Sequence, residues 1–274
     1  MQETLPVPFS NARNDLAGCY ARLNMRAQQR PTEPARRLHI AGTACGWVTQ
    51  AACDALRALP QVVQGQDGLG IMPEGVPSPA LDACLATVAQ TLRDAECLRG
   101  WRNELLDVHA EAGVIGKIER AACRPLGLRT RAVHLSAWTP TGDLWIARRS
   151  MSKSTDPGMW DTLVGGLVGA GEDPDQALVR ECAEEAGLTE PDIAERSAMR
   201  TILCMHRQLP EGYQVEDLMV AHCVLSPGVV PRNCDGEVSE IKTVTRAEAL
   251  AMVHAGAFTL EAALVIVEDM MRAG

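Results

Sequence analysis

Aromatic side chains are scarce, at 3% of the chain, so a core has to be built from Leu, Val, Ala and Met. No apolar run is long enough to span a bilayer. The opening Met1-Gln-Glu-Thr-Leu-Pro6 has neither the basic nor the apolar region of a secretory signal. Ten cysteines are present, yet none forms C-x-x-C, and Cys53, Cys84, Cys182 and Cys223 sit in apolar stretches. Reduced, structural thiols in a cytoplasmic protein are therefore expected. The six histidines do not cluster with cysteines at zinc spacing. Positive charge is also in short supply. A formal net charge of −9 argues against nucleic acid as a partner, because affinity for a phosphate backbone rests on Lys and Arg. It leaves room for a small phosphorylated ligand that arrives with its metal. There is no G-x-x-x-x-G-K-[ST] P-loop, no internal repeat and no low-complexity tract.

What is present suffices for a sizeable core: 274 residues, 46% of them hydrophobic. That length predicts one large or two smaller domains. A linker at Arg124-Pro-Leu-Gly127 divides an N-terminal α+β domain, 1–126, from a second domain, 127–274. The first is suited to substrate recognition or dimerisation, and a homodimer is compatible with this division. Before the boundary the patterns predict helices over 11–29, 48–59 and 79–98, with Arg30-Pro-Thr-Glu-Pro34 breaking the first. Strands are expected at 38–41, 61–64 and 69–72, a turn over 42–46, and strand-and-turn pieces at 101–108 and 114–120. Arg102, Glu104 and Arg120 form either a polar cluster or ordinary surface ion pairs.

After the boundary the pattern is more regular. Residues 131–139 alternate Val133, Leu135 and Ala137, which predicts a half-buried strand. Leu144 to Arg149 reads as its hairpin partner, and 150–158 as an exposed loop. Further strands are expected at 199–207, 215–225 and 238–244, and closing helices at 246–254 and 260–271. The fold class is α/β (α+β): a mixed β-sheet between helical layers.

One stretch organises the rest, Gly166 to Leu188. Asp173 can cap a helix, Pro174 fits its first position, and Gln176 stands where a capping box wants it. Gly187 is placed to end the helix, and Pro191 blocks continuation. At about 100° per residue, Leu178, Val179, Cys182 and Ala186 share one sector and should face a core. Glu181, Glu184 and Glu185 share the next, with Arg180 four residues before Glu184. Three carboxylates on one face repel one another. A hard divalent cation, Mg²⁺ or Mn²⁺, relieves that repulsion through oxygen ligands. A solvated acidic face is the alternative for a lone E-x-x-E-E.

The full spacing is G-x5-E-x7-R-E-U-x-E-E-x-G-U, where U is bulky and apolar. It resembles the Nudix box at every invariant position: Gly166, Glu172, Arg180, Glu181, Glu184, Glu185 and Gly187. At ordinary residue frequencies such a match arises by chance in roughly one chain in a million. Cys182, smaller than usual, fills one apolar slot and Leu188 the other. The resemblance implies a loop–helix–loop that holds a divalent metal, and hydrolysis of a small-molecule diphosphate by water. Glu181 and Glu185 are then the principal metal ligands, with Glu184 direct or through water, and the carbonyl of Gly165 or Gly166 adds a backbone ligand. Arg180 holds the carboxylates, and Glu172 braces the loop. The base is left open between Glu181, Glu237 and Glu240. Arg148, Arg149 and Lys153 are candidates for the substrate phosphates, and Trp160, Trp145 or Trp138 for stacking on a ring.

The flanks extend the match. Val133-His134-Leu, Trp145-Ile-Ala-Arg-Arg149, Lys153, Pro157-Gly158, Trp160-Asp161 and Gly165-Gly166 resemble one two-domain Nudix subgroup. Trp101-Arg-Asn-Glu104 and Glu119-Arg120 ahead of them do so as well. It is the subgroup similar to thiamine pyrophosphokinase-like Nudix proteins. That resemblance spans most of 38–255, closely in the second domain and loosely before it. It implies hydrolysis of thiamine diphosphate, or its oxidised analogues, to the monophosphate. A nucleoside diphosphate derivative or damaged nucleotide is the alternative substrate. A non-catalytic ligand-binding module is a third reading, against which the intact glutamates speak.

Overall fold

The structure, a computed structural model, describes residues 9–32, 35–65, 68–72, 78–153 and 155–272. The expectation for Met1–Pro6 and the Glu33-Pro34 part of the helix break lie outside them. Helix α1 (Phe9–Arg26) comes first. Strands β1 (Arg36–Ile40) and β2 (Thr43–Val48) form an antiparallel pair. The expected turn over 42–46 is tighter than that: Ala41 and Gly42, both at positive φ, make it, and the strand resumes at Thr43. Helix α2 (Gln50–Leu56) starts where the Thr49 hydroxyl accepts from the Ala52 N–H at 3.3 Å. Strands β3 (Val62–Gln64) and β4 (Gly68–Ile71) complete a four-stranded sheet of order β2-β1-β4-β3, in which β1 and β4 run parallel.

Helix α3 (Ser78–Asp94) buries the expected stripe of Leu81, Leu85, Val88 and Leu92. A hairpin follows, β5 (Leu105–Ala110) and β6 (Gly113–Glu119), then a 3₁₀ turn at Arg120–Ala122 and the short helix α4 (Cys123–Leu126). The segment read as a linker is thus ordered helix. Cys123, Pro125 and Leu126 are buried, and Leu126 joins one apolar cluster with α2, α3 and the β5–β6 hairpin.

The second half is a seven-stranded mixed sheet. Its elements are β7 (Arg129–Trp138), β8 (Leu144–Arg149), β9 (Trp160–Thr162), β10 (Val164–Leu167), β11 (Arg200–Leu209), β12 (Gly212–Val224) and β13 (Val238–Val244). Between them comes α5 (Pro174–Ala186), and after them α6 (Arg246–His254) and α7 (Leu260–Arg272). The main path runs β11-β12-β7-β8-β13, with β10 on β7 and β9 on β8. The expected β7–β8 hairpin forms at its turn, where Trp138 pairs with Leu144 and the Thr139 N–H donates to the Asp143 carbonyl at 2.8 Å, and then opens. The two strands diverge because β10 and β9 take over the hydrogen-bonding edges that a longer hairpin would have used.

Strand β7 is not half-buried as expected but covered on both faces. Val133, Leu135 and Ala137 pack with Leu178, Cys182 and Ala186 of α5. Trp138 packs on the other side in the cluster built around α7. A parallel neighbour, β12, goes with this burial of both faces. Helix α1 packs there too: Cys19 and Leu23 join the α7 cluster, although α1 precedes the first sheet in sequence. All ten cysteines are free thiols. Among the described residues no helix is long and apolar enough to cross a membrane.

Candidate active site

The loop after β10 and the helix α5 form one charge-paired unit. Asp173 caps α5 by accepting from the Asp175 N–H, and Pro174 follows it. The expected capping box does not form. The Asp175 N–H already satisfies the cap, and Gln176 plays no part in it. Gly187 closes the helix in the left-handed region, at φ 61°. Arg180 grips Glu172 with two parallel bonds, Nε to Oε1 at 2.8 Å and Nη2 to Oε2 at 3.0 Å. Its Nη1 donates to Glu181 at 2.8 Å and Glu184 at 3.2 Å, and Nη2 also reaches the Leu167 carbonyl at 3.1 Å. Glu172 ties down the loop by accepting from the Gly169 N–H at 2.9 Å. The hydrogen bonds from Arg180 hold its carboxyl below the usual range.

Glu181 lies under the loop. Burial pushes its carboxyl up, and Arg180 draws it down, as does the charge of Arg120. Gly166 lets the Glu181 side chain lie against the loop, since a Cβ there would push the Glu181 carboxyl aside. Glu185, one turn on, is 6% exposed. Burial pushes its carboxyl up to about 7, against the pull of Lys153 and of the Gly165 N–H, which donates to it at 3.1 Å. Lys153 lies 3.4 Å from Glu185 and also pairs closely with Glu237. Carboxylate oxygens of Glu185, Glu237 and Asp235 lie within 4.8 Å of one another.

The acidic side chains therefore divide. Glu172, Glu181 and Glu184 share Arg180, whereas Glu185, Glu237 and Asp235 gather near Lys153. An oxygen-only set that includes one buried carboxylate fits a hard divalent cation. Asp235 was missed by sequence reasoning. Its signal was a second acid two residues before Glu237 in the same turn, and only the fold brings that turn to α5.

Of these groups, Glu237 and Lys153 line a cavity of about 600 Å³. Gly165, Gly166, Lys153 and Glu237 line one side of it, and Arg149 and His134 also reach it. Arg149 clamps the preceding loop, donating to Asp161 at 2.9 Å and to the Thr155 carbonyl. Arg148 and Trp160, expected to touch substrate, are not among the lining residues. Adjacent residues on a strand point to opposite faces, so Arg148 turns away from Arg149. It pairs in register with Trp160, and its guanidinium lies 5.9 Å from the Trp160 ring centroid. Glu240, the other late glutamate, stands on β13, half exposed and 4.0 Å from Arg148. Trp138 is core: its Nε1 donates to Asp269 at 2.8 Å and Ser136 at 3.1 Å. Trp145 packs against the α5 cluster.

Four cavity residues carried no sequence expectation of their own as site residues. Buried His134 has Nδ1 2.9 Å from the Thr162 hydroxyl, which itself donates to the Val164 carbonyl. That chain assigns the Nδ1–H tautomer, and burial holds the imidazole below its ordinary pKa. Gln214 is 1% exposed and donates to both Glu216, at 2.7 Å, and Glu261, at 3.1 Å. Its Oε1 is buried with no protein partner. Burial opposes the charge of Glu216, but Arg124, Thr130 and Gln214 outweigh it and bring its carboxyl down. Burial raises that of Glu261. These residues come from separate strands and a helix, with no shared spacing to reveal them.

The comparisons agree with this geometry. Residues 128–264 match the NUDIX domain model, and 17–130 match a domain of unknown function, DUF4743. "Nudix hydrolase 20, chloroplastic" of Arabidopsis thaliana is 33% identical over 204 residues, covering 69% of this chain and 52% of that protein. "Nudix hydrolase 24, chloroplastic" of the same plant is 32% identical over 197 residues, covering 69% and 53%. The chain thus spans about half the length of the curated relatives it matches. Among solved structures, the DR0079 protein of Deinococcus radiodurans is 27% identical with a TM-score of 0.45, covering 60% of this chain and 97% of that one. With the domain match over half its length and the box residues in place, the chain belongs to the Nudix family.

Proposed function

We propose that the protein is a Mg²⁺-dependent pyrophosphohydrolase that cleaves a small-molecule diphosphate, with thiamine diphosphate or an oxidised analogue as the substrate. The observation that carries the reaction class is the gathering of buried Glu185 with Glu237 and Asp235, beside a large cavity that Glu237 lines. Glu185 and Glu181 would hold the ion, with Glu184 and the Gly166 carbonyl as further ligands, and Glu237 stands beside Glu185. Bound there, a divalent cation neutralises the diphosphate and lowers the pKa of a coordinated water. Lys153 supplies a positive charge beside Glu185 and Glu237. Arg180 keeps Glu181 and Glu184 in place. Glu237, exposed on its turn, is the proton acceptor in this reading, and Glu181 is the alternative.

The ring end of the substrate is argued from the cavity floor. Glu216, Glu261 and the Gln214 Oε1 make an acceptor-rich surface, which suits a cationic heterocycle bearing an amino group. The exocyclic amine of a purine fits the same acceptors, so a nucleoside diphosphate derivative is the second reading. A phosphate-release screen with Mg²⁺ over thiamine diphosphates, nucleotide sugars, dinucleotides and oxidised nucleotides separates the two. Turnover confined to the thiamine arm supports the first reading, and turnover confined to a nucleotide arm supports the second. No turnover of any compound by a folded protein that still binds one of them would point to a non-catalytic module.

A further inference from the structure

The cavity has a second wall, and it comes from the region whose family match carries no function. Residues 102–124 place Arg102, Arg120 and Arg124 on that wall, with Glu104 beside them. A smaller side cavity of about 90 Å³ is lined by the same three arginines and Arg99. In a chain with a net charge of −9, this is a local concentration of guanidinium groups.

The wall is fastened directly to the metal-binding loop. The Ala170 N–H donates to the Leu105 carbonyl at 2.8 Å, and the Gly171 N–H to Asp107 Oδ1 at 3.0 Å. Within the wall, buried Glu119 accepts from the Arg102 N–H at 2.7 Å, and the Arg120 N–H donates to the Glu104 carbonyl at 2.8 Å. The β5–β6 hairpin and the turn after it are therefore held at a fixed place opposite Gly165 and Gly166.

Arg120 and Arg124 do not spend all their guanidinium donors within the protein. A guanidinium has five N–H donors. Arg120 spends Nη1 on Glu104 at 2.6 Å. Arg124 spends Nη2 on Glu216 at 3.2 Å, while its Nη1 is buried without a hydrogen-bond partner. An unpartnered buried guanidinium nitrogen is costly, and an anion in the cavity that Arg124 lines would offset its charge.

We propose that Arg102, Arg120 and Arg124 form a phosphoryl-binding subsite, contributed by the N-terminal region, that holds the part of the diphosphate furthest from the metal carboxylates. The N-terminal region is then half of the active site. The proposal rests on the cavity being a phosphoryl-substrate site, but not on hydrolysis or on the identity of the ring. Arg120 and Arg102 are positioned to bind oxygen, Arg120 being 41% exposed at its side chain. Arg124 additionally neutralises buried Glu216, so it is a poor residue to remove.

The test is binding of inorganic pyrophosphate by calorimetry in EDTA, which removes metal from the question. Wild type is expected to bind it, and Arg120→Gln and Arg102→Gln each to weaken it by about tenfold. Arg120→Lys should keep most of the affinity, and Arg148→Gln, at a residue that is not on the cavity lining, should leave binding within about twofold. If Arg120→Gln fails to fold, Arg102→Gln alone decides. The proposal is overturned if wild type does not bind pyrophosphate in EDTA, or if the arginine variants bind it as wild type does. A protein that binds pyrophosphate through these arginines yet hydrolyses nothing would retain the subsite and sink the hydrolase reading instead.

Discussion

The loop–helix of 166–188 and the wall of 102–124 face each other across one cavity, yet they hold their charges differently. On the loop–helix, Arg180 and three glutamates within eight residues of it pair with one another, so spacing along one helix decides the geometry. On the wall, Arg124 finds Glu216 from 92 residues away, and the hairpin is tied to the loop by bonds to Ala170 and Gly171. A local motif builds the chemistry, and long-range packing builds the container. Variants in the first region should therefore abolish turnover, variants on the wall should weaken substrate binding, and variants away from the cavity should change stability or little at all.

The largest effect is expected at Glu185. Glu185→Gln should lower kcat by about 1000-fold, since the proposed metal site would lose a charged ligand, with folding intact by circular dichroism. Comparable turnover in this variant would break the comparison at its centre. Gly166→Ala comes next. The new Cβ must push the Glu181 carboxyl aside, and a displacement of about 1 Å costs about 100-fold in rate. A variant that keeps more than a tenth of wild-type activity would show that Glu181 can move at little cost.

Away from the cavity the effect should appear in stability. Asp269 is 4% exposed and accepts from Ser136 at 2.7 Å, from Trp138 at 2.8 Å, and pairs with His222 at 2.9 Å. Burial opposes its charge, but the hydrogen bonds from His222, Ser136 and Trp138 prevail, and its carboxyl is held below the usual value. A depressed carboxyl contributes stability above its unfolded pKa of about 3.9 and loses it as pH falls through the folded value. Asp269→Ala should cost about 2 kcal/mol in urea unfolding at pH 7. The gap to wild type should narrow below about pH 4, and a gap that widens in acid would contradict this assignment. The smallest effect is expected at Arg148, which faces away from the cavity. Arg148→Ala should change kcat/KM by less than about twofold, since exposed ion pairs contribute little. A tenfold loss would restore Arg148 to the substrate site.

The limits of what the sequence shows follow the same divide. The cap at Asp173, the end at Gly187 and the buried stripe of Leu178, Cys182 and Ala186 depend on neighbours within two turns, so pattern reading finds them. The clamp of Arg180 on Glu172 is not legible in the same way: spacing sets Arg180 beside Glu184, and the loop must fold back to bring Glu172 to it. Strand partners are another matter. Alternation identifies β7 and β8 as strands but says nothing of β10 and β9 taking their edges. Arg148 and Arg149 look equivalent in sequence, and only the register of β8 against β9 and β13 decides which one meets the cavity. Asp235, Gln214 and Glu261 became visible only when the turn before β13, the middle of the sheet and the start of α7 came together.

The central claim is that the box glutamates hydrolyse a diphosphate with water. It is tested most directly by following thiamine diphosphate with Mg²⁺ in ¹⁸O-labelled water by phosphorus NMR. The predicted result is thiamine monophosphate and inorganic phosphate, one of them carrying the label, with no reaction in EDTA or in Glu185→Gln. Cleavage that persists unchanged in Glu185→Gln, or no cleavage of any diphosphate by the folded wild type, would contradict the account.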